Sequence, residues 1–344
     1  KFFCYLGSLA SAALYFFDPE HIYFGLSMVA LASMGFSGSL VFYNAYLPEI
    51  AEPKDQDRVS AKGFSLGYIG SVILLIFNLI LVMFSNELGI TEPGLAPRLC
   101  FVSVGIWWAG FAQITFRRLP DHSFNKVVPD KKYLSKGYQE LRKVFLELTR
   151  MKRLPRYLSA FFVFNMGVQT IMYLAVSFGK DEIKDMPEEG LIISILLIQL
   201  IAIGGSYFWA FVSSKLGNAK ALTSIVCIWI LVCLIGYVIT DPIEFYGLAA
   251  LVGFVMGGVQ SLSRSTYSKF LPETQDHSSY FSFYDVCEKM GIVLGTFSYG
   301  FILQLTGSAR NCIFALASFF VIGIILMILV PKKETLRPES KAIG

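Results

Sequence analysis

Long runs of apolar residues without a single charge constrain this chain more than any other feature. The stretch Ser71–Phe84 reads SVILLIFNLILVMF, and comparable runs recur along the chain. A helix of about 20 apolar residues crosses the ~30 Å of hydrocarbon in a bilayer. A helix that is apolar all round has no face to turn towards water, so a soluble stack of helices does not fit. Composition agrees: 55% of the residues are hydrophobic and 16% charged, against about 25% charged in an average soluble domain. The reading is an all-α polytopic membrane protein.

Ten spanning segments are predicted: Phe2–Phe17, Ile22–Leu47, Gly63–Ser85, Ala96–Phe116, Tyr157–Gly179, Glu189–Ser214, Ala221–Thr240, Ile243–Phe270, Ser279–Leu305 and Arg310–Val330. Lys1, FFCYLGSL and Ala10-Ser11-Ala12 have the outline of a signal peptide. The apolar run nevertheless continues through Ala13–Phe17, so residue 1 reads better as a point inside a longer protein, just before a membrane helix. The six cysteines lie in or beside apolar segments and form no CxxC pair, which reads as small buried hydrophobes rather than disulfide or metal chemistry.

Orientation follows from the basic residues. Alternating the loops between two sides puts 24 of the 29 Lys and Arg on one side and only Arg98, Lys180, Lys184 and Arg310 on the other, with Lys289 inside a helix. The rich side is then cytoplasmic. The net charge of +4 is therefore a topology signal, with no nucleic-acid partner implied. Residues 1–116 form a first half, 117–156 a cytoplasmic linker, 157–330 a second half and 331–344 a cytoplasmic tail. In the linker, Leu134, Tyr138, Leu141, Phe145 and Leu148 recur at helical spacing with basic residues opposite. That pattern predicts an amphipathic helix, either along the inner membrane surface or solvated as a plain linker.

Two stretches repeat. YLPEIAEPKDQDRVSAKGFSLGYIG begins at Tyr46 and FLPETQDHSSYFSFYDVCEKMGIVLG at Phe270. Each opens aromatic-Leu-Pro-Glu on the basic side. Glycines follow at corresponding places, Gly67 and Gly70 in one, Gly291 and Gly295 in the other. Duplicated halves are a common transporter architecture. Ala210–Lys220 (AFVSSKLGNAK) resembles the G-x-x-x-D-[RK]-x-G-[RK] loop of the major facilitator superfamily. Lys215 and Gly217 match, but Ala210 and Ser214 replace the first Gly and the Asp, and the last basic residue comes late, at Lys220. The register this gives is helices three to twelve of a twelve-helix protein, in two pseudo-symmetric halves.

FYNAYLPEIA, VSAKGFSLGYIGS, NMGVQTIMYLAVSFG and GGVQSLSRSTYSKFLPE with YFSFYDVCEKMGIVLG are similar to one branch of that superfamily. It is the vacuole effluxer (autophagy-related) family, whose bacterial members are often called the unknown major facilitator family. The resemblance implies a secondary transporter of a small organic solute, with amino-acid export by alternating access the leading substrate class. It also implies a monomer without cofactor, proton-coupled or not, in the inner membrane of a bacterium or the vacuolar membrane of a fungus. Glu288 departs from the pattern, which has a small residue before the lysine.

Charge inside a membrane helix is costly and marks function by default. Asp285, Glu288 and Lys289 share one helix face at i, i+3 and i+4. They read either as a cavity-facing cluster for substrate or coupling ion, or as a pair that neutralises itself. Asn44, the Asn165–Gln169–Tyr173 series and Gln260 join them as substrate-binding or coupling candidates, through the cavity-lining helices that the resemblance implies. Asn and Gln also serve as glue between helices. Arg264, Lys215, Glu49 and Glu273 lie near the cytoplasmic ends and are candidates for a gate. Gly253, Gly257 and Gly258 read as a close-packing run or a hinge. An enzyme does not fit: His21, His122 and His277 lie in loops or at helix ends, and no HExxH or P-loop occurs. A non-transporting scaffold or sensor on the same fold is the remaining alternative.

Overall fold

The computed structural model describes residues 1–119, 133–274 and 276–333. The tail beyond residue 333 and linker residues 120–132 lie outside them. Twelve α-helices follow in order: α1 Phe2–Ala13, α2 Ile22–Ala45, α3 Leu47–Ile50, α4 Gln56–Met83, α5 Leu95–Arg118, α6 Tyr133–Arg150, α7 Arg153–Glu182, α8 Glu188–Leu216, α9 Asn218–Val238, α10 Pro242–Phe270, α11 His277–Thr306 and α12 Ala309–Ile328.

Nine helices among the described residues are long and apolar enough to span a bilayer. The sequence predicts ten. The difference is the first segment, where α1 has 12 residues before a 3-10 turn at Leu14–Phe16. The other segments appear close to their predicted places. The main shift is in α4, which starts at Gln56 rather than Gly63 and so turns a polar stretch into helix.

Helix ends have local causes. Asp241 caps α10 by accepting from the Ile243 amide at 2.8 Å, with Pro242 preset in the first turn. Asp276 caps α11 through the Ser279 amide, and Gly307 ends that helix in the left-handed region at φ +67°.

The chain divides into two compact units. The first holds residues 1–44 and 70–136. Here a Cβ at Gly105 would stand 2.6 Å from the Ser8 carbonyl oxygen, and the ring of Trp108 covers Gly7. Small residues thus let α1 and α5 touch, and Trp108 fills the gap they leave. Ile73, Phe77 and Ile80 make an exposed stripe on α4. Exposed apolar residues on a spanning helix are what a lipid-facing surface requires.

The second unit holds residues 45–69 and 137–344. The division by contact therefore cuts α4 and packs its first half with α7–α12. The most enclosed helix is α10. A Cβ at Gly253 would collide with the Ile198 carbonyl, one at Gly257 with that of Ala202, and one at Gly205 with that of Phe254. The glycine run is a packing device: it brings the backbones of α8 and α10 into contact. At the end away from the basic loops, Arg310 staples three helix ends. It donates to Glu182 at 3.0 Å and to the carbonyls of Tyr237 and Ile239 at 2.7 and 2.8 Å. Glu182 in turn accepts from the Ala309 amide at the start of α12.

Candidate functional site

Two polar clusters lie in the second unit, and both use the repeated stretches. The first is at the basic end. The early start of α4 makes Asp57, Ser60, Phe64, Ser65 and Tyr68 successive positions on one helix face. Asp57 is 6% exposed. Its Oδ2 accepts from Lys269 Nζ at 2.7 Å and from Ser213 Oγ at 2.9 Å, and its Oδ1 from Asn218 Nδ2 at 2.8 Å. Lys269 also donates to Asn218 Oδ1 at 3.0 Å. Four elements thus meet on one carboxylate: the start of α4, the end of α8, the start of α9 and the end of α10.

The α8–α9 loop is the stretch that matches the facilitator loop imperfectly. Asn218 stands where a basic residue is expected, and Lys269 brings the missing cation from α10. Lys215, the matching basic residue, is not part of the cluster; it stands over the Phe211 ring at 5.8 Å.

Deeper along α4, Ser60 Oγ donates to the Ser261 carbonyl at 2.7 Å and accepts from Arg264 Nε at 3.0 Å. Arg264 Nη2 donates to the Ser60 carbonyl at 3.1 Å, and the guanidinium stacks over Phe64 at 4.6 Å. Arg264 is 4% exposed. A buried cation needs this density of partners, and the planar fork of arginine meets it with two donors and a ring face. Ser65 Oγ donates to the Ile203 carbonyl, and Tyr68 Oη to Gln260 Oε1 at 2.5 Å. Glu49 of the first Leu-Pro-Glu meets His277, in the second copy, at 3.5 Å. Glu273 is exposed.

The second cluster lies about 12 residues into α11, roughly 18 Å from its start at 1.5 Å per residue. Lys289 Nζ stands 3.7 Å from Asp285 Oδ1 and 3.5 Å from Glu288 Oε1. Gln169 Nε2 of α7 donates to the same Glu288 oxygen at 3.3 Å. Asn165 is buried one turn away, where a Cβ at Gly291 would lie 3.5 Å from its Nδ2. That amide nitrogen has no hydrogen-bond partner among the described residues. Tyr173 is exposed and stands apart. Asn44 is buried at the end of α2, in the first unit.

In the register that aligns Leu47 with Leu271, the three charges fall opposite Ala61, Phe64 and Ser65. The duplication therefore carries the architecture twice but the charged triad only once. Among the described residues no group of three or more His, Cys, Asp or Glu could hold a metal ion.

The sequence profile of the family described as "Vacuole effluxer Atg22 like" matches residues 1–339. The chain belongs to that family. Among curated relatives of this Atg22-like chain, an uncharacterised MFS-type transporter, YxiO of Bacillus subtilis (strain 168), is 28% identical over 335 residues, covering 97% of this chain and 77% of that one. Autophagy-related protein 22-1 of Penicillium rubens is 26% identical over 309 residues, 83% of this chain and 51% of that protein. The chain thus spans about half the length of that fungal relative. Among solved structures, the E. coli fucose:proton symporter FucP superposes with a TM-score of 0.67 at 15% identity, covering 96% of this chain and 82% of that one. The human organic anion transporter MFSD10 gives 0.65 at 14%, with 94% and 75% covered. The fold of the Atg22-like chain is the major facilitator fold, and the protein is a multi-pass membrane transporter of that type.

Proposed function

We propose that this Atg22-like protein exports amino acids, or closely related zwitterions, by alternating access, and that the α11 triad is the substrate and coupling site. One observation carries the reading. Two carboxylates, Asp285 and Glu288, share a single ammonium, Lys289, deep in a spanning helix. One carboxylate is surplus, and an unbalanced charge at that depth costs several kcal/mol. A proton or the ammonium of a substrate would remove the imbalance. Lys289, with the spare Asn165 amide beside α11, would take the substrate carboxylate. Both signs in one place suit a zwitterion better than a neutral sugar. The word effluxer in the family description supports export.

The basic-end cluster would then be the cytoplasmic latch. Asp57, Ser60 and Glu49 come from the first half by sequence; Lys269, Asn218, Arg264 and His277 come from the second. Their bonds hold the cytoplasmic ends together in one state and would break in the other. The loops' basic bias supports a cytoplasmic linker and tail. The protein would sit in the cell membrane of a bacterium or the vacuolar membrane of a fungus, as a monomer of two six-helix halves.

The test is flux of a panel of radiolabelled amino acids in proteoliposomes of the whole protein. The reading expects substrate-dependent flux that Lys289→Ala and Asp285→Asn reduce at least about tenfold, the loss of one strong charged contact. Unchanged flux in both variants sinks it.

A further inference from the structure

We infer that α6 is a docking surface for anionic phospholipid headgroups, clipped by its other side to the ends of α10 and α11. The protein itself uses only part of the apolar stripe of α6. Val144 and Leu148 are buried, at 2% and 4% exposure. Glu147 accepts a hydrogen bond from Tyr280 Oη, and the Tyr280 carbonyl accepts from Tyr267 Oη of α10 at 2.6 Å. Those contacts fasten α6 to the first turn of one spanning helix and, through it, to another. They consume only part of the stripe. Tyr138, Phe145 and Leu146 remain 70%, 54% and 50% exposed, with one edge of the Phe145 ring against Phe283 of α11 at 6.4 Å between centroids.

At 100° per residue these three fall on the outward arc of α6, interleaved with Arg142, Lys143 and Arg150, all exposed. Both glutamates of the helix, Glu140 and Glu147, fall together on one edge of the packed side. An outward face of aromatic and basic residues, cleared of acids, matches the headgroup layer: rings reach the acyl boundary and cations meet phosphates. The place matches too. The partners of α6 lie in the opening turns of α11, where a spanning helix meets the headgroups. A soluble acidic protein would satisfy the charges but has no need of three apolar side chains at that depth.

The occupant is therefore the anionic leaflet of the bilayer. Bound there, α6 holds Tyr280 and, beyond it, the helix that carries Asp285, Glu288 and Lys289. Unbound, it leaves that helix end with a looser hold.

The test needs no transport substrate. Phe145→Trp in the full chain, in vesicles containing brominated phosphatidylglycerol or brominated phosphatidylcholine, reports which lipid touches the helix. The parent's four tryptophans supply the background to subtract. Each basic residue at an anionic surface enriches the lipid by about fivefold, so brominated phosphatidylglycerol should quench the added tryptophan several-fold more strongly. Arg142→Glu/Lys143→Glu/Arg150→Glu should remove that preference while leaving the thermal midpoint in detergent unchanged, since all three residues are exposed. Equal quenching by the two lipids overturns the proposal, because it leaves no anionic preference. Absence of lipid quenching also overturns it, because the face then points to water, a protein or a second copy.

Discussion

Neutralising Asp57 is the sharpest way to open the basic end. Asp57→Asn keeps the shape and much of the hydrogen bonding to Ser213 and Asn218 but removes the charge opposite Lys269. Breaking a fully buried pair by removing one partner costs about 3–5 kcal/mol, whereas an exposed pair is worth about 1 or less. This pair lies between those limits: the side chains of Asp57 and Lys269 are 8% and 18% exposed. Lys269 also keeps Asn218 Oδ1 at 3.0 Å. The expected loss is about 2 kcal/mol, about a thirtyfold shift in a two-state equilibrium. Ala61 lies on the same face of α4 and is 0% exposed. In a cysteine-free background, Ala61→Cys should react with a membrane-impermeant maleimide about thirty times faster when Asp57→Asn is added. Adding Lys269→Met to Asp57→Asn should produce little further change, because the pair is already broken. A rate change under about twofold, or fully additive effects, would refute the idea that this pair holds the cytoplasmic ends closed.

Two other substitutions probe the frame around it. Gly253→Val pushes a branched side chain into the Ile198 carbonyl, and overpacking of this kind costs about 1–3 kcal/mol or more; the thermal midpoint in detergent should fall, and an unchanged midpoint would show that α8 and α10 do not touch there. Arg264→Lys loses the stack on Phe64 and one of the two bonds to Ser60, about 2 kcal/mol. Phe64→Leu should then add little in a double-mutant cycle on thermal stability, because the two changes remove one shared contact.

Much of this arrangement was legible in the residues, for identifiable reasons. Apolar runs report spanning helices because hydrocarbon admits little else, so nine of the ten segments appear near their predicted places. The Leu-Pro-Glu echo marks Glu49 as a gate candidate, but its neighbour at 3.5 Å, His277, reads in the sequence only as a residue at a helix end. Gly253 and Gly257 announce close packing through the absence of a side chain. Asp57 was missed because its neighbours, DQDR, look like loop to any hydropathy argument. Its signal was the spacing of Asp57, Ser60, Ser65 and Tyr68, which puts small or polar residues on one helical face. Hydrophobic periodicity is blind to such a face, because what it contacts is another helix's polar end. Arg310 was legible only as the start of a helix. Its role as a staple depends on where three chain ends converge, which no local pattern encodes. Tyr173 shares a face with Asn165 and Gln169 by spacing, yet it is 64% exposed while those two are buried.

The central claim is that the surplus carboxylate of the α11 triad couples transport to protons. The most direct measurement is amino-acid flux in proteoliposomes of the whole protein, with and without an imposed pH gradient, for the wild type and Glu288→Gln. Glutamine leaves Asp285 balanced by Lys289 and removes the surplus carboxylate, which the proposal makes the acceptor of a coupling proton. The account predicts gradient-driven flux in the wild type that Glu288→Gln loses, while exchange of labelled for unlabelled substrate persists. A variant that responds to the gradient as the wild type does would contradict it.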